Sequence, residues 1–187
     1  VWVRPRFPVL NALHAPVGKV VPRLNSPELR KGTAWHAALE WVDELANTPV
    51  EVWWTNVQLR CELVFRPLRG DELHDVQQAC WLLVNKPELK PWLHEAIASN
   101  KRVFNELEWV QAEGRSLRAD RVLELPDRFL VLDYKWAVNS ANLTEYTQQV
   151  LEYVGLVDST LNRGSKAAPT QAALIDRHGE VHWLTSV

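Results

Sequence analysis

The sequence predicts an α/β domain in which a small mixed sheet is flanked by helices. Three observations carry that expectation. Stretches with helical apolar spacing lie before and after a central block of three strand-like runs. Turn signals at Glu113-Gly114 and Pro126-Asp127 separate those runs. The C-terminal segment AALIDRHGEVHWLTSV reads as strand, tight turn at His178-Gly179, and strand.

Residues 1–31 hold five of the eleven prolines and little periodicity. They read as an extended N-terminal arm or linker, leaving residues 32–187 as a single folded domain. A helix is expected from Thr33, an N-cap after Gly32, to about Ala46. His36, Glu40 and Asp43 share its polar face. Residues 49–65 contain β-favouring Val50, Val52, Trp53, Trp54 and Val57 and receive no firm assignment. A helix is expected over Asp71–Asn85, burying Val76, Ala79, Cys80 and Leu83, then a shorter helical segment framed by Pro87 and Pro91 and reaching Ala98. Val103–Gln111, Ser116–Leu125 and Phe129–Trp136 are expected to form an antiparallel meander. A helix over Leu143–Asp158 and a polar loop over Gly164–Pro169 precede the terminal strands.

A chain of 187 residues suits one domain, and 47% hydrophobic with 24% charged residues is ordinary for a globular protein. No run of apolar residues is long enough to cross a membrane, and VWVRPRFPVL lacks the order of a signal peptide. With no methionine, the chain reads as a domain of a longer, cytoplasmic polypeptide. Cys61 and Cys80 are the only cysteines, too few for a zinc ribbon or a cysteine-held iron–sulfur cluster, and they read as reduced thiols. A net charge of −2 excludes a generally basic nucleic-acid binder, so any contact with DNA must use a local patch. No GxxxxGK[ST] string is present, so an ATP site is not expected here.

The chemistry concentrates in Leu117–Lys135, LRADRVLELPDRFLVLDYK. As a hairpin it brings Asp120 alongside Asp133 and Lys135, and residues two apart in a strand share a face. Paired carboxylates are hard oxygen ligands for Mg²⁺ or Mn²⁺, and the Tyr134 backbone carbonyl between Asp133 and Lys135 is a further candidate ligand. Such a site suits hydrolysis of a phosphodiester. The competing reading is an Asp–Lys ion pair at a strand end, with Asp120 salt-bridged to Arg118 or Arg121. His36 on a helix is either structural or the imidazole that completes a carboxylate site. Gln149 and Tyr153, four apart on a helix, either contact a DNA backbone and hold the catalytic groups or simply pack.

Taken in order, GTAWH (Gly32–His36), ELEW (Glu106–Trp109), LRADRV (Leu117–Val122), VLDYK (Val131–Lys135) and QVLEY (Gln149–Tyr153) resemble the RecB-like branch of the PD-(D/E)xK nuclease superfamily. The likeness is nearest to the C-terminal nuclease domain joined to UvrD-type helicases, and it spans roughly Ser26 to Tyr153. It implies a restriction-endonuclease-like fold and a Mg²⁺- or Mn²⁺-dependent deoxyribonuclease, an exonuclease, serving DNA repair and recombination. By the same likeness His36, Asp120, Asp133 and the Tyr134 carbonyl hold metal, and Lys135 is catalytic. Gln149 and Tyr153 contact DNA and organise the site, and Glu106 supports it. The implied partners are a single-stranded DNA end, helicase domains of the same longer polypeptide and a second helicase–nuclease subunit, with no membrane. The chain departs from the family in following its lysine with Trp136-Ala137-Val138, where a bulky Trp136 could narrow the cleft or stack on a base. The alternative function is a nuclease-fold module that binds DNA or docks a subunit with little activity of its own. Ten tryptophans favour it, since exposed tryptophan marks interfaces.

Overall fold

Ser26-Pro27 starts the first helix. The serine hydroxyl accepts the Leu29 N–H at 3.2 Å, and proline at the first helical position gives up no needed donor. In the computed structural model, which describes residues 26–98, 102–112, 114–162 and 169–184, α1 therefore spans Pro27–Leu39. Thr33 is not its cap but an interior residue whose hydroxyl donates to the Leu29 carbonyl at 2.9 Å. The expected arm is correspondingly shorter, because Pro27–Lys31 belongs to α1; residues 1–25 lie outside the described residues. At the other end α1 stops at Leu39, and the chain tightens into a 3-10 turn over Val42–Ala46. Asp43 lies in that turn and pairs with Arg121 and Asn105, while His36 meets Asp120.

Residues 49–65 are helical, not extended: α2 is Val50–Arg60 and α3 is Glu62–Phe65. Trp53, Trp54 and Val57 are buried, and with Val50 they follow i, i+3, i+4, i+7 spacing. Burial of that stripe outweighs the β preference of its members. Helix α4, Gly70–Asn85, buries the four expected residues, and its first turn is tied down by Glu72, which accepts the Arg69 N–H at 3.0 Å. A 3-10 turn over Lys90–Trp92 and a short α5, Glu95–Ala98, lead to the sheet.

Strands β1 (Arg102–Val110), β2 (Ser116–Glu124) and β3 (Phe129–Lys135) form the expected antiparallel meander. Helix α6 (Leu143–Thr160) then crosses over so that β4 (Thr170–Asp176) runs parallel to β3, and β5 (Val181–Leu184) returns antiparallel. The result is a five-stranded mixed sheet in the order β1-β2-β3-β4-β5. Most of the expected loop before β4 lies outside the described residues. The turn into β5 uses Gly179 at φ +70°, a backbone conformation that a Cβ would oppose.

β3 is the centre of this arrangement, and it is apolar on both faces for that reason. Leu130, Leu132 and Tyr134 pack with Ala173 and Ile175 against the α1, α2 and α4 side. Phe129 and Val131 pack with Ala172 and Leu174 against Val150, Tyr153 and Val157 of α6. Tryptophan serves this interior more than the surface: Trp35, Trp53, Trp54 and Trp136 belong to the core, and among the described tryptophans Trp183 is the one that is exposed. No helix among the described residues is long and apolar enough to cross a membrane. Cys61 and Cys80 are both free thiols.

Candidate active site

The hydrogen-bonded pairing of β2 with β3 ends at Arg121↔Leu132, so Asp120 and Asp133 stand opposite each other just past the last pair. Freed from the ladder, the Asp120 carboxylate takes over as acceptor for the Tyr134 N–H, at 2.7 Å. The N–H and C=O of one strand residue point to the same side, so the Tyr134 carbonyl also faces the Asp120 edge. Its phenol side chain lies on the opposite face, ring to ring with Trp35 at 5.9 Å and His36 at 6.3 Å.

β1 adds a third acid at this level. Asn105↔Arg121 and Leu107↔Ala119 bracket Glu106, which therefore lies across from Asp120. Glu106 has φ +53°, uncommon for a residue with a side chain. It acts as a pivot. Phe104 and Val122 on one side of it, and Leu107, Trp109, Leu117 and Ala119 on the other, all join the core beneath α6. Strict alternation could not achieve that.

The remaining groups close in from two helices. His36 of α1 places Nδ1 3.4 Å from Asp120 Oδ2. Lys135 Nζ is 2.7 Å from Asp133 Oδ2, donates to Gln149 Oε1 of α6 at 3.0 Å, and sits 4.8 Å from the centre of the Tyr146 ring. Tyr153, one turn beyond Gln149, is buried under the same wall. His36, Asp120, Asp133, Lys135, Gln149 and Tyr153 thus line one open cleft of about 440 Å³, along with Arg115–Arg118. Glu106 borders it through its ion pair with Arg118, 2.6 Å from Arg118 Nε. The salt-bridge reading of Asp120 does not describe this protein, because Arg118 holds Glu106 and Arg121 holds Asp43.

Electrostatics separate the acids. Burial drives the Asp133 carboxyl up to about 7, and the neighbouring Asp120 charge adds to the rise, outweighing Lys135. Burial also opposes the Asp120 carboxylate, but His36 and the Tyr134 N–H outweigh it and hold Asp120 below the usual carboxylate range. His36 is desolvated, yet the charge of Asp120 raises it above an ordinary histidine. Glu106 is driven up to about 7, first by burial and then by Asp120. Burial raises Tyr153, and the charges of Asp133 and Asp120 raise it further, so its phenol stays protonated. Asp133 Oδ2 is buried and has no hydrogen-bond donor, since Lys135 is close but badly aligned. A buried carboxylate oxygen with no aligned donor, beside a second carboxylate, is a donor set that fits a divalent cation.

A different group brings its ligand atoms closest together. Among the described residues, Asp176, Glu180 and His182 at the β4–β5 turn place their ligand atoms within 4.8 Å of one another, so they could hold a metal ion. Asp176 pairs with Lys135 in the β3–β4 register, at the same end of the sheet. Asp176 Oδ1 also accepts the His178 and Glu180 N–H groups at 2.9 and 3.0 Å, and Oδ2 is 3.5 Å from His182 Nε2. The sequence signal for it was DRHGEVH, where the turn folds an acid back onto a histidine.

Trp136 corrects an expectation. It neither narrows the cleft nor is open to a base, being only 9% exposed. Its N–H donates to Glu28 at 2.6 Å, while Lys31 and Arg177 each lie 5.4 Å from the ring centre. Sequence reasoning also missed Arg121, a fully buried guanidinium bonded to Asp43 at 2.6 Å, Asn105 at 2.5 Å, and the Trp92 and Leu93 carbonyls at 2.8 and 2.7 Å. It clamps the strand immediately after Asp120.

No protein-family model matches the chain, and no curated protein matches it either. Fold and cleft together define an α/β domain whose mixed sheet ends in a cluster of acids, a histidine and a lysine.

Proposed function

We propose that this domain is a metal-dependent deoxyribonuclease of PD-(D/E)xK type, the cutting part of a cytoplasmic helicase–nuclease acting in DNA repair or recombination. The observation that carries the reading is the meeting of His36, Asp120, Asp133, Lys135 and Gln149, drawn from four separate elements, in one open cleft. A structural ion pair needs two of these groups and leaves the others unexplained.

Asp120, Asp133, His36 and the Tyr134 carbonyl would hold Mg²⁺ or Mn²⁺, which would supply Lewis-acid polarisation of a phosphoryl oxygen and a more acidic water. The protein groups then have separable tasks. Gln149 holds the Lys135 ammonium over the cleft, where it can orient a water for in-line attack or stabilise charge growing on the phosphate. Tyr153 stays a neutral phenol beside Gln149 on the buried side of the cleft. Glu106, with its raised pKa, can take a proton at neutral pH. The expected products carry a 5′-phosphate and a 3′-hydroxyl.

The test is degradation of single-stranded DNA with Mn²⁺, comparing the wild type with Asp133→Asn and Lys135→Ala. Metal-dependent degradation that both substitutions lower by at least about a hundredfold supports the reading. Equal rates in all three proteins, or no cleavage by the wild type, refute it.

A further inference from the structure

The nuclease reading names the groups that would act on the bond but leaves open what holds the strand there. Lys135 cannot do both jobs. It is 15% exposed and already engaged with Asp133 and Gln149. A chain with net charge −2 has no general attraction for a polyanion, so local cations must supply it. Two remain on the cleft wall, Arg115 and Arg118 at the start of β2, with side chains 58% and 61% exposed.

Their geometry suits phosphate. Arg118 lies two residues before Asp120 on the same strand, about 7 Å along it, comparable to one backbone step of an extended nucleic acid. Glu106 meets Arg118 through Nε, and neither terminal nitrogen of the guanidinium has a hydrogen-bond acceptor among the described residues. Glu106 thus takes the Nε side of the guanidinium, and the edge of paired terminal N–H groups has no hydrogen bond among the described residues. That edge is the one that grips two phosphate oxygens at once. Arg115 is held in turn by Glu152 of α6, at 2.9 Å.

We propose that Arg118, with Arg115 beyond it, seats successive backbone phosphates of a DNA strand beside the bond at Asp120 and Asp133; this rests on the nuclease reading. Both are substrate-binding residues. Because they contact only phosphate, the grip is independent of base sequence.

The experiment is binding of a fluorescent single-stranded oligonucleotide to the full chain in EDTA, followed by anisotropy over a series of salt concentrations. Arg118→Ala and Arg115→Ala should each weaken binding about three- to tenfold and reduce the salt slope by about 0.7. Arg118→Lys should keep the slope and still lose affinity, since a point charge replaces a fork. Arg66→Ala, just past the end of α3 and outside the cleft lining, should change neither. An unchanged slope in both alanine variants, or no binding by the wild type, overturns the proposal. Mn²⁺-dependent cleavage with an unchanged slope sinks this inference alone. An arginine-dependent slope in a chain that cleaves nothing supports the inference and sinks the nuclease reading instead.

Discussion

Replacing Asp133 by asparagine should stabilise the metal-free protein at pH 8 while abolishing the site. Asp133 is 2% exposed, has an oxygen with no hydrogen bond, and faces the Asp120 carboxylate. Its carboxyl is raised from 3.8 to about 7, so the folded chain binds a proton there that the unfolded chain has released. Stability must therefore fall as pH rises through that window. Three units at about 1.4 kcal/mol each set an upper bound of about 4 kcal/mol lost by pH 8. Asparagine keeps the shape and carries no charge. Lys135 loses its partner, which offsets part of the gain, so the expected net is about 2 kcal/mol. Urea unfolding in EDTA at pH 5 and pH 8 reads this directly. The variant's advantage should grow by about 3 kcal/mol between pH 5 and pH 8, because two of those units lie where only the folded chain keeps the Asp133 proton. Adding Mn²⁺ at pH 8 should raise the wild type more than the variant, because the variant has lost one of the carboxylates that would bind the ion in the folded state alone. If the variant is less stable than the wild type at pH 8, or if both lose the same stability between the two pH values, the strained-carboxylate account is wrong.

Mn²⁺ affinity should weaken as pH falls through about 7, when Asp133 takes up its proton, and binding near that pH should release protons; calorimetry in buffers of different ionisation enthalpy measures both. Arg121→Met should destabilise by about 3 kcal/mol or more, since it removes the buried cation that pairs with Asp43 and the donor to the Trp92 carbonyl; a loss below about 1 kcal/mol in urea unfolding would refute the clamp. Gln149→Leu should lower cleavage about tenfold while Mn²⁺ binding stays intact, because it frees Lys135 without touching an acid. Trp136→Phe should cost about 1 kcal/mol through the lost Glu28 bond and leave oligonucleotide binding unchanged, whereas a base-stacking role would weaken binding.

Local pattern sufficed for the meander, α4, α6 and the terminal hairpin, because each couples a clear period with its own turn or cap signal. It was ambiguous where two signals competed. Val50, Trp53, Trp54 and Val57 are β-favouring by type and helical by spacing, and only a core to bury them chose the helix. Thr33 looked like a cap because Gly32 precedes it, while Ser26-Pro27 had the stronger chemistry.

The candidate site divides the same way. Sequence alone singled out the residues of the proposed cleft and put Asp133 and Lys135 on one face, since strand alternation is a local property. What only the tertiary structure decided is who touches whom. Register placed Glu106, Asp120 and Asp133 at one level, and packing turned Trp136 away from the cleft. Arg118 went to Glu106 and Arg121 to Asp43, leaving Asp120 to His36 and the Tyr134 N–H. Those choices depend on the depth of burial and on elements far apart in the chain. No local window contains them.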